Sequence, residues 1–438
     1  MKKTLLSWVV CATLLISVAV ARADTLEQAM VKAYRANPGL EAQRAQFRAD
    51  CEQIDQAEGG WQPRINGITS VGKLYTYTPN NAFLPPTGAH TSRAVGVEIV
   101  QPIFRGFRTE NGIDAAEKKV LGSQAKLQAA EQQLLFNVGK TYLNLLRDRA
   151  VVDLYRHNEV ELTARAAEAR KRFAVGDATR TDVLQAEARL QGVKTSLTEA
   201  QGRMENDGAA YLRYVGDPPA DLQEPKMHFD LPQSAEDAID DAVKHNPAVV
   251  AAAYGEDAAL ADVDVSEGAL LPEIDVVGSA SRAWAQSDFI PGMQDTTAVM
   301  LRMTIPLYNA GVEYSQTRAA EQTATAKHME LADMRLAARQ ATVEAWDSLQ
   351  TAKAAELSSQ AQVDTDARAL DGVKKEASVG TRTVLDILNA EQELLAAKVN
   401  LVQARYDGAL ASLQIEAAIG RLTADGLHLP VDLQGDSN

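Results

Sequence analysis

The sequence predicts an α+β membrane protein, internally duplicated, with four β-strands per chain and long coiled-coil-like helical hairpins. Three observations carry that expectation. An export signal opens the chain, and no later apolar run reaches the length of about 18 residues that a spanning helix needs. One order of landmarks occurs twice. Each copy joins a pair of alternating strands to a proline-free stretch of helical character.

The 438 residues include 44 Lys+Arg and 59 Asp+Glu, a net charge of −15, so the chain lacks the basic surface that nucleic acid requires. Apolar residues make up 46% and aromatic ones only 5%, which favours small aliphatic side chains and helix over disorder. Residues 1–23 read as a signal peptide. Lys2 and Lys3 lead an apolar stretch, and Ala21-Arg22-Ala23 offers a small-x-small cleavage site. Removing them takes away three cations, leaving 415 residues at a net charge of −18. Cys11 leaves with the signal, so Cys51 is a lone thiol and no disulfide framework exists.

The duplication shows as fixed offsets. At 209 residues, Thr25 meets Ser234, Asn37-Pro38 meets Asn246-Pro247 and Pro63 meets Pro272. At 204, Pro102 meets Pro306, Gly176 meets Gly380, Asp182 meets Asp386, Glu187 meets Glu391 and Gly216 meets Gly420. This divides the chain into a first repeat at 24–216, a linker at 217–233, a second repeat at 234–420 and a tail at 421–438.

Each repeat opens with a capped helix, Thr25-x-x-Gln28 or Ser234-x-x-Asp237. The helix is interrupted at Asn-Pro, because proline disfavours helix in the residue before it. Beyond Pro63 and Pro272 the period becomes two. Val95, Val97 and Ile99 alternate with Gly96 and Glu98; Val299, Leu301, Met303 and Ile305 alternate with Met300, Arg302 and Thr304. The strand pairs are placed at about 64–105 and 273–308, with breaker-rich loops at 78–93 and 285–296. Strands of roughly 10 residues match a membrane crossing. Nine aromatics gather in 61–107 and 284–308: Trp61, Tyr75, Tyr77, Phe83, Phe104, Phe107, Trp284, Phe289 and Tyr308. They sit near strand ends, as interfacial girdles do. Four strands cannot close a barrel, and a sheet in lipid tolerates no free edge, so copies of the chain must pool their strands.

The helices that follow are long. Residues 108–171 and 312–375 contain no proline, and 64 residues of α-helix span about 96 Å. Leu134, Val138, Tyr142, Leu145, Arg149 and Val152 form a stripe at spacings of three or four. Gly176 and Gly380 supply helix stops, and Thr179 and Thr383 start the return helices. Each repeat therefore contains a helical hairpin, at about 107–215 and 312–418.

These features, with Ser378-Val379-Gly380-Thr381-Arg382-Thr383 before Val384-Leu385-Asp386-Ile387-Leu388-Asn389-Ala390, resemble the TolC-type outer-membrane efflux family. The likeness runs from about Thr25 to Leu427. It implies a homotrimer that forms a 12-stranded barrel in outer-membrane lipid, continuous with a helical tunnel through the periplasm. The segments 217–233 and 421–438 would form a belt around the tunnel's middle. It also implies passive export of drugs, toxins or polypeptides, with a periplasmic adaptor protein and an inner-membrane transporter as partners. No phosphate loop, zinc-binding His-Glu-x-x-His helix or nucleophile elbow is present, and the six histidines share no metal-ligand spacing. No enzyme activity and no cofactor are expected.

By the same resemblance, Asp182, Arg382 and Asp386 belong to a gate at the tunnel's periplasmic tip. Asn389 stands where the family often has a second acid, and Ala377 where it often has an aromatic. Thr179-x-x-Asp182 and Thr383-x-x-Asp386 are also capping boxes, a local demand that explains both acids without a gate. Arg382, at a helix N-terminus that disfavours cations, calls for an acidic partner, and the resemblance makes Asp182 the candidate. Glu98 and Arg302 are equivalent positions on the lumen side of their strands, where they either satisfy each other or bear on selectivity. The alternative function is a soluble periplasmic coiled-coil adaptor or scaffold, whose strands would need no lipid-facing stripe.

Overall fold

The computed structural model describes residues 25–77, 87–225, 229–284 and 292–431. The predicted signal peptide at residues 1–23, Phe83, Phe289, residues 226–228 and the end of the tail at 432–438 lie outside them. The helices are α1 (Leu26–Ala36), α2 (Pro38–Glu58), α3 (Arg108–Ala174), α4 (Arg180–Val215), α5 (Ala235–His245), α6 (Pro247–Gly268), α7 (Val312–Ser378) and α8 (Val384–Ala418). The strands are β1 (Arg64–Tyr77), β2 (Thr87–Arg105), β3 (Glu273–Trp284) and β4 (Met293–Thr304). Among the described residues, no helix is long and apolar enough to cross a membrane.

The duplication is visible in the hydrogen bonds. Asn37 accepts from the backbone N–H groups of Gly39 and Leu40 to start α2, and its Nδ2 donates to the Tyr214 carbonyl at the end of α4. Asn246 repeats this, accepting from Ala248 and donating to the Ala418 carbonyl at the end of α8. The Asn-Pro pair therefore does more than break a helix: it caps one helix and ties it to a hairpin. Thr25 forms a full capping box with Gln28. Ser234 forms half of one: its hydroxyl accepts from Asp237 N–H and donates to the Asp237 carboxylate, while the reciprocal bond from its own backbone N–H is not made.

Helices α3 and α7 each run 67 residues, about 100 Å. Both end in Schellman turns, with Gly176 at φ +82° and Gly380 at φ +84°. Asp177 N–H reaches the Arg172 carbonyl, and Thr381 N–H the Glu376 carbonyl. Of the predicted stripe, Leu134, Val138, Tyr142, Leu145 and Val152 are buried. Arg149 departs from it, pointing outward to Asp221 at 2.7 Å. Around the middle of α3 the core gathers Met30, Leu135, Tyr211, Leu413, Leu422 and Ala424. Linker and tail both pack at this height. Tyr142 Oη donates to the Gln223 carbonyl, and Arg421 pairs with Asp241 at 2.7 Å.

Sheet and helices meet at a tight joint. Gly106 and Phe107 both have left-handed φ (62° each) between β2 and α3; Ala310 and Gly311 repeat this before α7. A Cβ on Gly106 would lie 2.3 Å from the Gly268 carbonyl oxygen, so strain and clash coincide there. Gly106→Ala is expected to cost about 2–3 kcal/mol, read as a lowered thermal midpoint of the detergent-solubilised protein. Gly112→Ala, in α3 with open space around its Cβ, should be neutral or stabilise by about 0.5–1 kcal/mol.

The strands form one antiparallel sheet in the order β1-β2-β3-β4, leaving β1 and β4 as edges. Val95, Val97 and Ile99 are 48%, 48% and 41% exposed, whereas their alternate neighbours are half-buried on the opposite, inward face. Val97 is level with Gly67 and Ala280, and Ala280 with Thr297. Two of the strands begin earlier than the sequence pattern suggests. Residues 87–93 belong to β2 and 293–296 to β4, although both stretches read as loop. They are polar because they extend past the apolar band, so their outward positions carry no period-two signal.

Glu98 and Arg302 do share the inward face but are not paired within the chain. Glu98 lies opposite Asn66 and Ser279, while Arg302 lies opposite Asp275 and pairs with it at 3.6 Å. A register difference of four residues, about 13 Å, separates them.

Candidate functional site

The two hairpin turns, at 175–178 and 379–382, lie at the end of the molecule farthest from the sheet. Helix α4 starts there with Asp182 Oδ2 accepting from Thr179 N–H and Oγ1, both at 2.8 Å. Helix α8 repeats the geometry, Asp386 Oδ2 accepting from Thr383 N–H at 2.9 Å and Oγ1 at 2.8 Å. The backbone N–H, then the hydroxyl, holds each carboxyl below its ordinary range. Both acids are thus kept ionised while capping their helices.

Each turn is also bridged by one ion pair, with opposite polarity in the two repeats. In the first, Arg172 at the end of α3 holds Asp177 in the turn at 3.0 Å. In the second, Glu376 at the end of α7 holds Arg382 at 2.9 Å. The hydrogen bond that Arg382 donates to Glu376, followed by the charge of that carboxylate, raises the Arg382 pKa. Arg382 therefore has the acidic partner its position demands, but within one chain that partner is Glu376 six residues away. Asp182 sits at the tip of the other hairpin, occupied by its cap.

About two turns above the tip the hairpins are joined by a buried cluster. Glu391 on α8 is 6% exposed, and its Oε1 is 3.2 Å from both Arg165 Nη2 on α3 and Lys374 Nζ on α7. Its Oε2 is buried without a hydrogen-bond partner. Asn389 accepts from Arg189 Nη2 on α4 at 3.0 Å, a second link between hairpins. Where an acid would have bound that arginine by charge, this chain uses a neutral amide. The same helices enclose an open groove of about 660 Å³ lined by Tyr155, Asn158, Leu162, Arg189, Gln392 and Asn400.

Glu391, Arg165, Lys374 and Glu376 are not distinguished by local pattern, since each reads as a charge on a solvated face. The duplication does contain a signal. Arg170 and Glu187 in the first repeat, paired at 2.7 Å, are the equivalents of Lys374 and Glu391. A cation and an acid retained in step at both copies mark a tie within each hairpin.

The pattern of the family described as "Outer membrane efflux protein" matches residues 29–216 and again 238–421, one match for each repeat. The outer membrane efflux protein BepC of Brucella suis is 33% identical over 411 residues, covering 94% of this chain and 88% of BepC. The outer membrane protein TolC of Escherichia coli is 24% identical over 423 residues, covering 93% of this chain and 84% of TolC. Among solved structures, the outer membrane protein VceC of Vibrio cholerae superposes with a TM-score of 0.79. It is 19% identical, and the match covers 90% of this chain and 96% of VceC. With a duplicated family match and a relative at one third identity over nearly its full length, the chain belongs to the outer membrane efflux protein family.

Proposed function

We propose that three copies of this chain pool twelve strands into one closed outer-membrane barrel, continuous with a helical tunnel whose periplasmic tip is a gate. The observation that carries this reading is the four-stranded sheet with an apolar outward face and two unpaired edges. In hydrocarbon an open edge leaves a row of amide groups unsatisfied, at several kcal/mol each, so β4 of one copy must pair with β1 of the next. Cargo would pass outward along the lumen, delivered by an inner-membrane transporter through a periplasmic adaptor docked at the tip. The channel itself breaks no bond. A soluble adaptor or scaffold role fits neither the family nor the outward stripe. Light scattering of the detergent-solubilised protein should give three times the mass of the mature chain; a folded monomer with its β content retained would refute the shared barrel.

At the tip, the acids Asp182 and Asp386, with Arg382 and Asn389, are proposed to form the gate across the three copies. The opposite polarity of the two turns places an anionic helix end, Glu376, in each second hairpin and a cationic one, Arg172, in each first. Arg382→Ser combined with Asp182→Ala should raise single-channel conductance in planar bilayers without changing trimer stability. Because these charges are exposed, high salt should partly mimic the change in wild type. Glu376→Ala separates the alternatives. If it alone gives the full rise, the pair within the turn holds the gate and Asp182 serves as a helix cap.

A further inference from the structure

On every strand the outward face of the sheet changes character toward the end remote from the helices. The apolar or small outward run gives way to Lys73 after Val71 on β1, and to Arg93 after Val95 on β2. It gives way to Arg282 after Ala280 on β3, and to Asp295 after Thr297 on β4. All four charged residues are exposed. Lys73 lies opposite Thr91, Arg93 opposite Val71 and Trp284, and Arg282 opposite Val95 and Asp295. The three cations therefore climb diagonally across adjacent strands, each within about 7–8 Å of the next at Cβ. Asp295 holds Arg282 in place through two hydrogen bonds of 2.6 and 2.8 Å. Among the described residues, neither Lys73 nor Arg93 is paired with a carboxylate.

This is a local excess of positive charge on a chain whose net charge is −15. It lies beside the exposed aromatics Tyr75 and Trp284, at the height where a barrel passes from hydrocarbon to headgroups. Charges on the outward face are costly near the midplane and nearly free at the interface, so their confinement to one end marks that interface. An anionic headgroup is the complement that such a row lacks. Arginine grips a phosphate through two parallel N–H donors, and lysine adds a point charge from a flexible stem.

We propose that Lys73, Arg93 and Arg282 form a site on the membrane-facing surface for the phosphate groups of an anionic lipid in the outer leaflet. The inference rests on the reading that this face lies in the membrane. Arg282, fixed by Asp295, marks one end of the row; Lys73 and Arg93 reach outward and close on the phosphates. In a trimer three such rows would surround the barrel at its outer rim.

The test uses the full-length protein purified as the detergent-solubilised oligomer, equilibrated with equal amounts of diphosphoryl lipid A and zwitterionic phosphatidylcholine, and read by native mass spectrometry. Wild type should retain lipid A about tenfold over phosphatidylcholine, and Lys73→Gln with Arg93→Gln should lower that retention about fivefold. The charge-conserving exchange Lys73→Arg with Arg93→Lys should retain it. Should the double Gln variant fail to assemble, Lys73→Gln alone must still lower retention. Wild-type retention in the Gln variants, or no preference in wild type, overturns the proposal. So does complete displacement of lipid A by millimolar inorganic phosphate, which would assign the row to the free anion. Oligomer mass is read from the same spectra. Absence of the oligomer in wild type counts against the shared barrel, whereas an intact oligomer without lipid A preference counts against this site alone.

Discussion

Val97→Arg should remove most of the protein from the outer membrane, while Glu98→Gln at the next position should leave assembly unchanged. Val97 is 48% exposed on the outward face, level with Gly67 and Ala280, neither of which offers a hydrogen-bonding side chain. An arginine there meets hydrocarbon. The nearest outward acid, Asp295, is already held by Arg282. A cation near the midplane of a lipid face costs about 2–4 kcal/mol per chain, and the proposed trimer would carry that cost three times. Glu98 lies on the inward face, where an amide keeps the shape of the carboxylate and loses only its charge. Val95→Arg is a useful intermediate: it lies two residues nearer Arg93 and the interface, where the cost falls to about 0–1 kcal/mol. The fraction of heat-stable oligomer in outer-membrane preparations should follow the order Val97→Arg, Val95→Arg, Glu98→Gln, from least to most. Equal assembly of Val97→Arg and wild type would mean that the outward face had been assigned to the wrong side.

The architecture was legible in the sequence wherever a local rule produces a local residue pattern. Gly176 and Gly380 stop helices by adopting left-handed φ, and Thr179 and Thr383 restart them as caps, so both hairpins could be placed to within a few residues. The apolar alternation of β2 and β4 stood out because one face is both apolar and exposed. The first residues of both strands carried no such signal, since past the apolar band the outward side chains turn polar. Asn37 and Asn246 showed themselves as helix breakers but not as ties to Tyr214 and Ala418, because those carbonyls lie 177 and 172 residues away. The tip followed the same division. The caps made by Asp182 and Asp386 were readable from spacing, whereas the choice of Glu376 over Asp182 as the neighbour of Arg382 depends on the shape of the turn. Glu391 carried no local signal beyond its repeat with Glu187. On an alanine-rich helix it reads as a surface acid, and only the packing of α3 and α7 against α8 buries it.

That burial makes Glu391→Ala the substitution expected to affect the tunnel's closed state most. Its Oε1 is shared by Arg165 from the first hairpin and Lys374 from the second, so one carboxylate joins both hairpins of a chain. Removing it leaves two cations facing each other across the space it filled. A fully buried pair broken in this way costs about 3–5 kcal/mol. Arg165 and Lys374 are 34% and 43% exposed and can turn to water, which reduces the loss to about 1–2 kcal/mol per chain. Three copies acting on one opening would still bias the closed state by several kcal/mol, if opening separates the hairpins. Glu391→Ala should therefore raise conductance more than Arg382→Ser, whose ion pair is exposed and screened by water. Glu391→Gln keeps the volume and one acceptor, so it should fall between the two. Lys374→Ala leaves Arg165 on the carboxylate and should change conductance least. Planar-bilayer recordings on the four variants, alongside their thermal midpoints, decide the matter. A lowered midpoint with wild-type conductance in Glu391→Ala would make the cluster a packing element, with the gate confined to the turns below it.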